Sequence, residues 1–171
     1  IFFVISGYLI TTIILKDVEK NKFNLFFFYQ RRARRILPAL FFMLSICIPV
    51  AWILMTPDQM KDFSAGIFSV SLFLSNLYFM EQQVNYFAAS SELHPLLHTW
   101  SLAVEEQFYI IWPVVLWLAW HKRLNLLTIS LVVALISFYL NLQFVKSNPI
   151  QIFFWPMGRF WELLSASLVL V

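Results

Sequence analysis

Charged residues are scarce in this chain: they make up 12% of its 171 residues, whereas a soluble globular domain has about 25%. Glycine is also rare, with three residues, and a single cysteine, Cys47, lies within an apolar run. One cysteine forms no disulfide within the chain, so a disulfide-stabilised scaffold is excluded. The low charge content and a mean hydropathy of +0.76 also exclude a soluble domain and a disordered chain.

Apolar residues are abundant instead, with 61% hydrophobic and 19% aromatic residues. The chain contains six apolar segments, at residues 1–15, 36–56, 63–80, 99–120, 124–145 and 150–171. A span needs about 20 residues, so the length accommodates five or six membrane crossings. The segments lack the alternation of barrel strands, and only helices or closed barrels satisfy their backbone in lipid. We therefore predict an all-α, polytopic helical bundle in a membrane.

The distribution of basic residues predicts the membrane orientation. The net charge of +3 is modest, so no nucleic-acid partner is expected. Residues 16–35 hold seven basic and two acidic residues around an aromatic stretch at 23–29, which predicts a loop on the cytoplasmic membrane surface. Counting crossings from there places the basic residues 121–123 outside, which the same rule disfavours. A re-entrant segment within 63–80 or 81–98 would remove this conflict.

Two adjacent carboxylates, Glu105 and Glu106, interrupt an otherwise apolar segment. Charged groups at bilayer depth usually face the interior of a bundle or a water-filled cavity. In a helix, His98, Ser101 and Glu105 share one face. Glu106 points about 100° away and is expected to pair with Tyr109. One carboxylate then faces the bundle centre, where it orients a histidine or acts as a base. A structural ion pair with an arginine of another span is an equal alternative.

Arginines form two further candidate sites. Arg159 and Glu162 lie three residues apart, where they either neutralise each other or bind an anion such as phosphate through the guanidinium. A basic cluster precedes the second segment and is either a topology signal or a ligand site. Its members are Arg31, Arg32, Arg34 and Arg35.

Other motifs are weak. His94 and His98 have the spacing of a metal-binding pair, but Pro95 interrupts a regular helix and no third ligand clusters with them. No metal site is therefore expected. Isolated polar residues within the apolar segments are expected to form hydrogen bonds between helices. These are Ser71, Asn76 and Asn141.

Four sequence blocks follow one another along almost the whole chain. They are Phe-Phe-Val-Ile-Ser-Gly-Tyr-Leu-Ile at 2–10, Tyr-Gln-Arg-Arg-Ala-Arg-Arg-Ile-Leu-Pro-Ala at 29–39, Pro-Leu-Leu-His-Thr-Trp-Ser-Leu-Ala-Val-Glu-Glu-Gln-Phe-Tyr at 95–109, and Pro-Met-Gly-Arg-Phe-Trp-Glu-Leu at 156–163. Together they resemble the membrane-bound acyltransferase-3 family, in particular its bacterial O-antigen acetylase branch. The third block is the most specific.

The resemblance implies that residues 1–171 are a partial transmembrane acyltransferase domain, truncated at both ends. The whole domain would have about ten helices of about 20 residues each in the bacterial inner membrane. The implied reaction moves acetyl from cytoplasmic acetyl-CoA to a hydroxyl of a surface polysaccharide such as lipopolysaccharide O-antigen, without a metal. The family's essential histidine belongs to an Arg/Lys-x10-His motif, expected upstream of Ile1. Two family residues are replaced: a glycine by Ser165-Ala166 and an aspartate by Ala88.

The same resemblance assigns roles to the candidate residues. The expected catalytic residues are Glu105, Glu106, His98 and Ser101. The expected substrate-binding residues are Arg31, Arg32, Arg34, Arg35, Arg159, Glu162 and Tyr109. The arginines of the basic cluster would contact the coenzyme phosphates, and Arg159 either a phosphate or the developing oxyanion. The expected partners are acyl-CoA, the polysaccharide acceptor and the lipid bilayer.

Two other functions stay open on the sequence alone. A transporter or flippase for a polysaccharide intermediate would line its path with the same intramembrane charges, although the chain shows no paired repeat. The other alternative is an inactive truncated remnant, since a fragment without the upstream helix is expected to be inactive by itself.

Overall fold

The computed structural model describes residues 2–20, 23–85 and 95–168, in which all regular structure is helical. The α-helices are α1 (Phe2–Glu19), α2 (Leu25–Leu54), α3 (Pro57–Ser71), α4 (Ser75–Asn85), α5 (Trp100–His121), α6 (Leu126–Phe144), α7 (Pro149–Phe154) and α8 (Phe160–Ser167). Within the described ranges, three helical stretches are long and apolar enough to cross a membrane: Leu25–Leu54, Leu97–His121 and Leu126–Phe144. The prediction of an all-α membrane helical bundle is confirmed.

Helix α2 begins before the basic cluster, so the surface loop predicted over 16–35 is wrong for most of its length. Asn24 caps the helix, because its side-chain oxygen accepts a hydrogen bond from the Phe26 amide at 2.9 Å. The helix has 30 residues and is about 45 Å long, which exceeds a hydrocarbon core of about 30 Å. Residues 36–54 alone are therefore about as long as the hydrocarbon core is thick, and the basic cluster lies in the part of the helix that precedes them.

The predicted segment 63–80 is not one helix, because the chain breaks between α3 and α4. Phe73 adopts a φ of 55° at this break, a left-handed conformation that glycine usually supplies at the end of a helix. The Leu74 amide closes the last turn of α3 by donating to the Ser69 carbonyl at 2.8 Å. The prediction that residues 63–80 form one continuous segment is therefore wrong.

After the break, α4 turns back toward α3. The Tyr78 hydroxyl donates to the Asp62 carbonyl at 2.9 Å, so the two helices form a hairpin. The tip of the hairpin lies beside the start of α5, where the Ser75 hydroxyl donates to the Thr99 carbonyl at 3.0 Å. A hairpin whose two helices lie on the same side of its tip is the arrangement that a re-entrant segment requires.

Helices α1 and α5 run parallel to each other. The Ser6 hydroxyl bonds to Glu105 at 2.9 Å, and the Trp112 indole bonds to Thr11 at 3.0 Å, so residue numbers rise together along both helices. Val18 and His121 consequently line the same groove at one end of the bundle. The basic residues near both helix ends thus lie together, and the crossing count that separated them is wrong.

The last predicted segment, 150–171, is also interrupted. Pro156 has no backbone N–H to continue a helix, and a short 3-10 turn over Pro156–Gly158 separates α7 from α8. Helix α6 supports the interruption, because the Asn141 side chain donates to the Gly158 carbonyl at 3.0 Å. This bond confirms the predicted role of Asn141, and the break contradicts the prediction of one segment.

Candidate active site

Glu105 is held between α1 and α5 by two hydroxyl groups. The Ser6 hydroxyl donates to one carboxylate oxygen at 2.9 Å, and the Tyr109 hydroxyl donates to the other at 3.4 Å. Only 4% of Glu105 is exposed, so these hydrogen bonds replace water at a buried carboxylate. The predicted pairing of Tyr109 with Glu106 is wrong, because Tyr109 lies one helical turn beyond Glu105 and faces it.

Glu106 points in a different direction, as the helical spacing predicts. It is 8% exposed, and its Oε1 atom has no hydrogen-bond partner among the described residues. Glu106 lines a cavity of about 250 Å³ between α2 and α5, together with Arg32 and Tyr109. The Arg32 guanidinium lies 5.2 Å from the centre of the Tyr109 ring. This cavity is therefore lined by both a carboxylate side chain and a cation on the neighbouring helix.

The structure does not bring His98 to either carboxylate. His98 lies in the 3-10 turn Leu97–Thr99, before α5 begins, and is exposed. Ser101 is half-buried, and its hydroxyl donates to the His98 backbone carbonyl at 3.3 Å. The prediction that His98, Ser101 and Glu105 share one helical face is wrong, because the first of them precedes the regular helix.

The four arginines of the basic cluster separate into different environments. Arg31 forms an ion pair with Asp17 at 2.9 Å, so its charge is compensated within the chain. Arg34 and Arg35 are exposed, whereas Arg32 is half-buried and reaches the cavity. The predicted contact with coenzyme phosphates stays a prediction for all four arginines.

Arg159 and Glu162 form the ion pair that their spacing allows. Arg159 also donates to the Phe153 carbonyl at 3.3 Å, and its guanidinium lies 4.8 Å from the Phe153 ring centre and 5.9 Å from that of Trp100. Trp100 begins α5, whereas Arg31 pairs with Asp17 near the end of the parallel helix α1. Arg159 and Arg31 therefore lie toward opposite ends of the bundle and do not form one phosphate site.

A side-chain latch that the sequence analysis missed fixes α5 next to Glu106. The Gln107 amide donates to the Phe73 carbonyl and to the Asn76 side chain, each at 2.9 Å, and Asn76 donates to the Phe154 carbonyl at 3.2 Å. The latch joins α5 to the hairpin tip and to α7. It confirms the expected role of Asn76 between helices.

Two serine residues, Ser71 and Ser6, have roles that differ from those predicted from the sequence. The Ser71 hydroxyl bonds to the carbonyl of Ile67 in its own helix, at 2.8 Å, so its predicted role between helices is wrong. Ser6 was not among the predicted site residues, although it belongs to the first sequence block. Its polar side chain beside Gly7 in an apolar helix is the sequence signal that could have identified it.

Metal-ligating side chains are not grouped in the described ranges: there, no three His, Cys, Asp or Glu residues lie close enough to hold a metal ion. His94, one residue of the histidine pair with metal-binding spacing, and Ala88, one of the replaced family positions, both lie outside the described residues.

Comparison with known proteins gives consistent matches. A family model described as an acyltransferase domain matches residues 1–170. An uncharacterized protein of Haemophilus influenzae is 37% identical over 180 residues, covering 100% of this chain and 73% of the relative. No solved structure gives a significant match.

Two relatives carry functional names. The peptidoglycan O-acetyltransferase OatA of Listeria monocytogenes is 35% identical over 172 residues, with 96% of this chain and 27% of the relative covered. The O-acetyltransferase OatA of Staphylococcus aureus is 33% identical over 169 residues, with 95% of this chain and 28% of the relative covered. The chain thus spans little more than a quarter of these two proteins.

Proposed function

This chain belongs to the acyltransferase-3 family, and we propose that the protein containing it is a membrane O-acyltransferase. It moves an acyl group, acetyl in the simplest case, from a thioester to a hydroxyl of a cell-envelope polysaccharide. The observation that carries the proposal is that Glu106, whose buried Oε1 has no partner among the described residues, lines one cavity together with Arg32. A carboxylate and a guanidinium facing one small cavity are suited to a reaction in which a hydroxyl loses a proton while a carbonyl gains negative charge.

The chemistry of the transfer assigns each group a role. The acceptor oxygen bonds to the acyl carbon, the bond between this carbon and the donor sulfur breaks, and the hydroxyl proton ends on the sulfur. Glu106 accepts the hydroxyl hydrogen bond and relays the proton. Arg32 donates to the carbonyl oxygen, where negative charge develops. Glu105, which is bound by Ser6 and Tyr109, fixes α5 against α1 and so positions Glu106.

The donor is proposed to be cytoplasmic acetyl-CoA. The basic residues near Lys16 and His121 lie at one end of the bundle, which by the positive-inside rule faces the cytoplasm of a bacterial inner membrane. The exposed guanidinium groups of Arg34 and Arg35 belong to the basic stretch 16–35 of the sequence and are suited to bidentate contact with phosphates.

The acceptor is proposed to be a surface polysaccharide. The name of the Listeria relative specifies peptidoglycan, whereas the branch that the sequence blocks resemble acts on lipopolysaccharide O-antigen. Both polymers present sugar hydroxyls, so the chemistry of Glu106 and Arg32 is the same for either of them.

Label transfer tests this proposal directly. Membranes with the full-length protein are given acetyl-CoA labelled in its acetyl group, and peptidoglycan and O-antigen are then purified separately. We expect label in one of the two polymers, released by mild alkali as acetate, and none with membranes lacking the protein. Movement of a lipid-linked sugar across the membrane without incorporation of label would instead establish the transporter function.

Two arginines of the basic cluster are expected to behave differently on substitution. Arg32→Gln should lower kcat about 100-fold, since removal of one donor to a developing oxyanion has an effect of this order. Arg34→Gln should raise the KM for acetyl-CoA about fivefold, because an exposed charge contact contributes at most about 1 kcal/mol.

Steady-state kinetics at low and high salt separate the two effects. The KM effect of Arg34→Gln should shrink at high salt, which screens exposed charges. The kcat effect of Arg32→Gln should persist. An unchanged kcat in Arg32→Gln would contradict the proposed contact with the carbonyl oxygen.

A further inference from the structure

The cavity beside Glu106 is lined by four polar and five apolar residues. The polar residues are Glu106, Arg32, Tyr29 and Tyr109. Its apolar lining consists of Ala33, Ile36, Leu37, Phe73 and Ile110. The volume of about 250 Å³ corresponds to about eight water molecules at about 30 Å³ each. An acetyl group occupies only a small fraction of this space.

We propose that the apolar part of this cavity is the acyl pocket, which holds the hydrocarbon chain of a short-chain acyl donor. The proposal rests on the proposed function and adds the substrate class to it: straight acyl chains longer than acetyl are accepted. Ala33 and Leu37 on α2 determine how long a chain fits.

The first support is the state of Glu106 itself. Its Oε1 atom is buried and without a partner among the described residues, and an unsatisfied buried polar atom is destabilising. A hydroxyl of the acceptor would satisfy this atom, and the acyl carbonyl would lie toward Arg32. The chain of the acyl group then continues along the apolar lining, away from both charged groups.

The second support is the backbone of Phe73 at the hairpin tip. Its φ of 55° is strained for a residue with a large side chain, and such strain is concentrated at functional sites. The Gln107 side chain holds this conformation through the Phe73 carbonyl at 2.9 Å. An aromatic ring that lines the cavity thus occupies a position where glycine is usual, so the chain keeps the ring at an energetic cost.

The third support is the pattern of residues on α2. Tyr29, Ala33, Ile36 and Leu37 all line the cavity, and their spacing places them on one helical face. Ala33 is the smallest of them. A larger side chain at 33 would fill the pocket, and a smaller one at 37 would extend it.

Chain-length selectivity of the full-length protein tests the pocket, with acetyl-, butyryl- and hexanoyl-CoA as donors and one acceptor. Ala33→Leu should lower the butyryl-to-acetyl ratio of kcat/KM about tenfold, because one or two methylenes in an apolar pocket discriminate by at least this factor. Leu37→Ala should raise the hexanoyl-to-acetyl ratio about tenfold for the same reason. The matched controls are Ala39→Leu and Leu54→Ala, which lie on α2, are exposed and do not line the cavity.

The outcomes separate the pocket from the function. Opposite shifts in the two variants, without shifts in the controls, support the pocket. Acetyl transfer by the wild type with unchanged ratios in both variants overturns the pocket and leaves the proposed function intact. If Ala33→Leu is inactive with every donor, an unchanged ratio in Leu37→Ala still overturns the pocket. If the wild type uses no acyl-CoA at all, the proposed function fails, and the pocket fails with it.

Discussion

Replacement of Gly7 by alanine is expected to prevent α1 from packing against α8. A Cβ atom at this position would lie 1.7 Å from the carbonyl oxygen of Leu163 and 2.6 Å from its carbonyl carbon. Both atoms belong to the backbone, so no rotation of a side chain relieves the overlap. We expect a loss of about 3 kcal/mol or more in stability, the upper range for overpacking, and a marked fall in the yield of folded protein.

Gly66→Ala is the matched control for this substitution. A Cβ atom at Gly66 would meet only the side chains of Leu96 at 3.5 Å and Tyr78 at 3.8 Å, which are ordinary contacts. Alanine is favoured over glycine by up to about 1 kcal/mol within a helix, so Gly66→Ala should leave stability unchanged or raise it. Thermal unfolding in detergent, followed by size-exclusion chromatography, measures both variants. Equal melting temperatures would show that α1 and α8 do not approach as closely as described.

The helical class and three of the six predicted spans could be predicted, because they depend on composition and the length of apolar runs. The helix boundaries were less predictable, since arginine is a good helix former and allows α2 to continue through the basic cluster. The break at Phe73 carries no local signal, because neither glycine nor proline occurs over 72–74. The break near Pro156 did carry a local signal, the proline itself, but proline is tolerated in many membrane helices.

The candidate site was predictable only in part. The rotation of about 100° per residue predicted that Glu105 and Glu106 diverge. Their partners were not predictable from spacing, because Ser6 is 99 residues from Glu105 in the chain. Only the parallel packing of α1 and α5 brings these side chains together. Similarly, the contact of Arg32 with Tyr109 depends on how α2 crosses α5.

Glu106→Gln is expected to have the largest effect on activity of any single substitution at the site. Glutamine keeps the size of the side chain and its ability to accept a hydrogen bond, but it cannot take up the hydroxyl proton. The loss of a proton-transfer group lowers the rate about 10²- to 10⁴-fold, so kcat for acetyl transfer should fall by a factor in this range. The KM for acetyl-CoA should change little, since the exposed arginines that are proposed to bind the coenzyme are untouched.

Glu105→Gln separates proton transfer from positioning. Its carbonyl oxygen still accepts the bond from Ser6, and the Tyr109 hydroxyl can reverse its role and accept from the new amide. The framework between α1 and α5 is thus retained, and kcat should fall by about tenfold, the effect of about 1.4 kcal/mol in positioning. Glu81→Gln, an exposed position on α4, is the control and should match the wild type. A smaller loss in Glu106→Gln than in Glu105→Gln, with both proteins folded, would place the proton relay on Glu105, because only the carboxylate that carries the proton is irreplaceable by its amide.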